Sequence, residues 1–229
     1  VAIRDRLLRP HLRRAAGPPH LALLAWIFPP SVSGGTYRPT SLSRRCAEFG
    51  WRVSVMAGPG PDAPSAAGTY LLQSLPEDVR IHRVSPPAID PSPKCVPAID
   101  GGFVNMLATV SLARRAFHGD PPTVILATGP HFHNFVAAYY IARMFGAKWV
   151  LEYRDEWSEC PFDFVRAGAA DRRWEAYLLR KADAVIFTTR SQLAHQLAVF
   201  PGLEASKCLV IPNGWELDDF GSTDAGPEP

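Results

Sequence analysis

Short apolar runs alternating with longer amphipathic segments predict an α/β domain whose sheet is doubly wound and mostly parallel. Two observations carry this. The strand candidates are apolar throughout rather than alternating, as strands covered on both faces are, and each is followed by a segment with apolar residues at helical spacing. A third is size: 229 residues with 47% hydrophobic content suit one large domain with a sizeable core.

In chain order, Leu21–Ile27 reads as the first buried strand and Tyr37–Phe49 as a helix stopped by Gly50. Arg52–Ala57 and Val79–Val84 are the next strands. Ser85–Pro97 holds Pro86, Pro87, Pro91, Pro93 and Pro97, which predicts a long surface loop. The alternation resumes with helix Phe103–Phe117, strand Thr123–Ala127 and helix Asn134–Phe145, closed by Gly146. Strand Trp149–Tyr153, helix Asp171–Lys181, strand Ala184–Thr188, helix Ser191–Phe200 and strand Cys208–Ile211 complete a Rossmann-like pattern. The domain is expected over residues 20–220, between a basic extension, 1–19, and a polar tail, 221–229. Opening on Val1 and closing in that tail, the sequence is expected to be a shortened product or part of a longer one.

Composition removes several function classes. A net charge of +2 makes no case for nucleic-acid binding. Cys46, Cys95, Cys160 and Cys208 are scattered, which argues for reduced thiols in a cytoplasmic protein rather than a zinc site. No segment reaches the roughly 18 to 20 consecutive apolar residues of a membrane span. The arginines at 4, 6, 9, 13 and 14 interleave with Leu7, Leu8 and Leu12, either as a peripheral contact with anionic lipid or as a solvated start to the chain.

Ligands of such sheets bind beyond the carboxyl ends of the strands, so the residues that follow each strand are the candidates. Gly34 and Gly35, with Arg38 in the next turn, are either an anion site at a helix start or an ordinary turn. In the Gly129-Pro130-His131-Phe132-His133-Asn134 segment, two histidines without further ligands argue against a metal. They read instead as imidazoles for a polar substrate or as polar residues at a helix start. Glu152-Tyr153-Arg154-Asp155-Glu156-Trp157 places charge directly after an apolar strand, where a carboxylate can serve as a base and Trp157 as a face for a sugar ring. The alternative is an Arg154–Asp155 pair bracing the loop. Asn213-Gly214 reads as a turn. A dehydrogenase-type nucleotide site is disfavoured, since GxGxxG is missing and Ala57-Gly58 closes the second strand where an acidic residue is needed.

Together these segments resemble the N-terminal domain of the family 4 glycosyltransferases, retaining enzymes of the GT-B fold, from Leu21 to Phe220. The likeness runs through Gly34-Gly35 and Arg38, then Glu48-Phe-Gly-Trp-Arg-Val-Ser-Val55 (similar to "GHEVTV") and the Gly129-Pro130-His131 loop. It continues in Trp149-Val-Leu-Glu-Tyr-Arg-Asp-Glu-Trp157, close to "PWV-x-D-x-RD-x-W" with Glu152 in place of the usual aspartate. Lys181 to Thr188 and Val210 to Phe220 resemble "AD-x-VI-x-x-S" and "VIPNG-x-D-x-x-x-F".

The resemblance implies one half of a GT-B enzyme: an acceptor-binding domain that works with a C-terminal, donor-binding domain expected to be absent from this sequence, or with a separate chain in its place. It implies a nucleoside-diphosphate sugar as co-substrate, no other cofactor, and a glycan or lipid-linked acceptor of the kind used in polysaccharide biosynthesis. Gly34, Gly35 and Arg38 would approach the donor phosphates. His131, Arg154 and Asp155 would face the reacting centre, with His133, Asn134 and Trp157 lining the substrate side and Asn213-Gly214 at the hinge. Transfer by this chain alone is not expected. The alternative is a non-catalytic acceptor-binding or membrane-recruiting subunit partnered with a separate donor-binding chain; either way the protein is expected in the cytoplasm or peripherally at the inner face of the membrane.

Overall fold

The computed structural model describes residues 17–85, 102–161 and 167–214. The basic stretch at 1–16, most of the proline-rich segment and the region from Trp215 onward lie outside the described residues.

Among the described residues, seven strands form one sheet: β1 (His20–Leu24), β2 (Arg52–Ala57), β3 (Arg80–Arg83), β4 (Val124–Gly129), β5 (Lys148–Tyr153), β6 (Ala184–Phe187) and β7 (Cys208–Val210). Their order is β3-β2-β1-β4-β5-β6-β7, and every pairing is parallel. Among the described residues, six α-helices connect them: α1 (Tyr37–Glu48), α2 (Ala66–Gln73), α3 (Phe103–Ala116), α4 (His133–Phe145), α5 (Ala169–Lys181) and α6 (Arg190–Val199).

The apolar strands predicted a sheet covered on both faces, and alternate residues of β1 show how it is achieved. Leu21 and Leu23 face a cluster with Val53 and Val55 that the Leu42–Cys46 side of α1 covers. Ala22 and Leu24 face the larger cluster, where Phe117, Phe135, Ile141 and Leu178 close over Ile125 and Leu151. Gly50 and Gly146 have φ of 80° and 70°, the left-handed conformation that ends a helix without a Cβ clash.

The structure departs from expectation in two elements. β1 stops at Leu24, and past it the Ala25 N–H donates to the Met56 carbonyl and the Gly58 N–H to the Trp26 carbonyl before the chain turns away. Helix α2 is not predicted from the sequence, which offers no element between β2 and β3. Ser65 caps it by accepting the Gly68 N–H at 3.1 Å. The glycine is required because a Cβ there would lie 2.0 Å from the Pro30 carbonyl oxygen.

From β1 the chain winds to β2 and β3 on one side, then crosses to β4 on the other. The ends of β1 and β4 therefore diverge into a crevice at the topological switch point.

Candidate active site

Two loops border this crevice, one after β1 and one after β4, and Arg154 ties them together. Lying just past β5, its guanidinium donates to the Gly129 carbonyl (2.8 Å) and the Pro130 carbonyl (3.1 Å) on one side. On the other it donates to the Gly35 carbonyl (2.8 Å). These carbonyls lie at or beyond the ends of the strands and need donors, and the planar fork of an arginine meets several at once. Burial pulls the Arg154 guanidinium down from its ordinary value, while the Glu152 and Asp155 carboxylates oppose the shift. A Cβ at Gly35 would stand 3.0 Å from Arg154 Nη1, so the guanidinium would have to give by a few tenths of an ångström. Gly34 next to it is exposed and has open space around its Cβ position. The rest of the loop is held locally, with Ser33 Oγ accepting the Gly35 N–H and Thr36 Oγ1 donating to the Ser31 carbonyl.

Arg38 is committed elsewhere than the sequence suggested. Its Nε pairs with Glu152 Oε1 at 2.9 Å, and that carboxylate is only 1% exposed. Its two other nitrogens reach the Ile211 carbonyl (3.0 Å) and the Pro212 carbonyl (2.7 Å), with Asn213 Oδ1 at 3.4 Å. The side chain thus fastens the start of α1 to the exit of β7, where Asn213 and Gly214 are exposed. A guanidinium so engaged is a strut, and its net charge is offset by Glu152.

The loop after β4 separates its polar residues by depth. His131 is half-buried, its ring 6.3 Å from Trp26 and 5.8 Å from His133. His133 is fully buried edge-on to Trp26, centroids 4.5 Å apart. Asn134 is also buried and its amide reaches the Leu24 carbonyl (3.5 Å) and the Thr128 carbonyl (3.4 Å), bridging the ends of β1 and β4 at the base of the crevice. His133 and Asn134 therefore build the floor, while His131 stands nearer the opening. Trp157 must be corrected outright: it is 1% exposed and stacked on Phe132 at 5.3 Å, so no face of its indole is open to a sugar. Asp155, by contrast, is half-exposed and makes no hydrogen bond among the described residues, which leaves its carboxylate free to accept one.

Behind the β5 loop, Glu175 of α5 is fully buried and accepts the Ser158 N–H at 2.8 Å. Burial raises its carboxyl above the ordinary value, against the hydrogen bond from Ser158. Trp26, Glu152 and Glu175 escaped assignment from the sequence. Glu152 alone left a signal there, as an acid inside an otherwise apolar strand.

The model of the "Glycosyl transferase 4-like domain" matches residues 33–214. The chain belongs to that family. Solved structures with the same fold include a sucrose-phosphate synthase from Thermosynechococcus elongatus, at TM-score 0.61 and 14% identity over 86% of this chain and 48% of the synthase. A UDP-glucosyltransferase from Polygonum tinctorium superposes at 0.59 with 12% identity, over 94% of this chain and 56% of that one. UGT2 of Phytolacca americana gives 0.56 and 15%, over 87% and 54%. The chain thus spans about half the length of these GT-B glycosyltransferases. No curated protein matches it by sequence. Among the described residues, no helix is long and apolar enough to cross a membrane.

Proposed function

We propose that this domain is the acceptor-binding half of a retaining glycosyltransferase, which transfers a sugar from a nucleoside-diphosphate sugar to a glycan or lipid-linked acceptor. The observation that carries the reading is the crevice itself. Arg154 locks the Gly35 and Gly129–Pro130 carbonyls around it, His131 stands towards its opening, and the unpaired Asp155 carboxylate follows the clamp directly. A clamped crevice positions reacting groups without reorganisation at the moment of transfer. Asp155 and His131 are the groups suited to orient an acceptor hydroxyl, and Arg154 positions them. Gly34 is exposed with open space around its Cβ position, so a donor diphosphate can approach the backbone there. The nucleotide would be held chiefly by a second domain or chain, beyond these residues, that closes over the crevice and excludes water.

The test is release of nucleoside diphosphate from a panel of sugar donors in the presence of candidate glycan acceptors. The isolated chain is expected to show none above a denatured control. Transfer by the isolated chain would show that it needs no second half.

A further inference from the structure

A second concavity lies beside the crevice, over the carboxyl ends of β5 and β6. It is a cleft of about 370 Å³, within the range of small-molecule sites. Asp155 and Glu156 line it from the β5 loop, and Thr189, Ser191, Gln192 and His195 from the start of α6. We propose that this cleft binds a neutral sugar unit of the acceptor, next to the reacting end held at the crevice. The inference rests on the acceptor-side reading above and names the chemistry of that acceptor.

Three features select a neutral polyol. The first is the arrangement of donors and acceptors. Gln192 Oε1 is held by the Thr188 N–H (3.2 Å) and Thr188 Oγ1 (3.3 Å), which leaves its amide NH2 as a donor. Asp155 offers an unpaired carboxylate, and Thr189 and Ser191 offer hydroxyls, so both partners that a sugar hydroxyl needs are present. The second is charge. Asp155 and Glu156 face the cleft, Glu156 paired with His195, whereas Arg154, which also lines it, has three of its N–H donors committed to carbonyls at the crevice. An anion at the start of α6 would meet these acids, so the site disfavours phosphate. The third is rigidity. Glu156 Oε1 lies 2.7 Å from His195 Nδ1 and fixes the α6 wall to the β5 loop, while Thr189 caps α6 by accepting the Gln192 N–H at 3.1 Å. Cys160 and Pro161 add an apolar patch for the C–H face of a ring.

The test is amide NMR of the isotope-labelled chain titrated with neutral hexoses and disaccharides, inorganic phosphate and nucleoside-diphosphate sugars. A neutral saccharide is expected to shift the Thr189, Ser191 and Gln192 amides and the Gln192 side chain. Gln192→Ala should weaken that binding at least tenfold, and Asp155→Asn should weaken it while the spectrum stays folded. Three outcomes overturn the proposal: phosphate rather than sugar shifting these residues, sugar shifting only the Gly34–Gly35 and His131 loops, or no shift with any saccharide. The second of these leaves the acceptor-side reading standing. Tight binding of a nucleotide sugar together with saccharide shifts at α6 would sink that reading and leave the sugar cleft intact.

Discussion

The two edges of the sheet use their charged residues in opposite ways. At the amino ends of the strands, acids and bases pair with each other. Asp120 gathers Arg52, Arg80 and His20, and Lys148 pairs with Asp183 at 2.6 Å while 75% of its side chain stays exposed. At the carboxyl ends, arginines grip the backbone. Arg154 holds Gly35, Gly129 and Pro130, Arg83 holds Gly58 and Pro29, and Arg38 holds Ile211 and Pro212. Loops leaving a sheet carry carbonyls without ladder partners, and a buried guanidinium is the side chain able to satisfy several of them. The contrast teaches that an arginine at the carboxyl ends of these strands is first a loop-fixing device. Whether it also meets a ligand depends on which of its donors remain.

Removing a strut should therefore hurt far more than removing a surface pair. Arg38→Ala leaves the Glu152 carboxylate buried without its partner, and denaturant unfolding should show a loss of about 3–5 kcal/mol. A loss below about 1 kcal/mol would place Arg38 with the surface pairs. Arg154→Lys keeps the charge but not the fork, and should lower stability by about 3 kcal/mol, since each charge-assisted bond it forfeits is worth roughly 1.5–3. Neighbouring glycines sharpen the same point. Gly35→Ala should destabilise by about 1–2 kcal/mol as its Cβ displaces Arg154. Gly34→Ala, in open space, should stay within about 0.5 kcal/mol of neutral.

The edges should also differ in sign with pH. Burial raises the folded value of Glu175 above that of an unfolded carboxyl, about 4.3. Its contribution is therefore full below that pH and is lost as pH rises through the folded value. The hydrogen bond from Arg52 depresses Asp120, so its contribution is full above about 3.9 and is lost as pH falls through the folded value. In thermal melts across pH, Glu175→Gln should remove loss on the alkaline side of this window, and Asp120→Asn should soften the acid limb. Identical profiles for both variants and the parent would remove this difference between the edges. Smallest of all, Lys148→Ala should cost only about 0.2–1 kcal/mol, diminishing further in high salt.

Much of the fold was legible because burial writes itself into composition. Runs such as Arg52–Ala57 and Val124–Gly129 are apolar on both faces, and Gly146 marks a helix end by chemistry that only glycine performs well. Helix α2 was not legible, because the reason for Gly68 is the Pro30 carbonyl, distant in sequence. The site was legible in position but not in role. Charge after Tyr153 pointed to the carboxyl ends of the strands as the candidate site, yet only three-dimensional contacts reveal that Arg154 and Arg38 face carbonyls. Trp157 followed the same strand and seemed open, but Phe132 and Phe135 seal it into the core. Trp26, beside both histidines, lies after the shortened β1 and carries no local signal of its neighbours.

The division of labour, with the acceptor on this domain and the donor nucleotide held elsewhere, is tested most directly by calorimetric titration of the purified chain with a panel of nucleoside-diphosphate sugars. The account predicts no saturable binding of any donor. Tight binding of one of them, abolished by a bulky residue at Gly35, would contradict it and place the donor site within this domain.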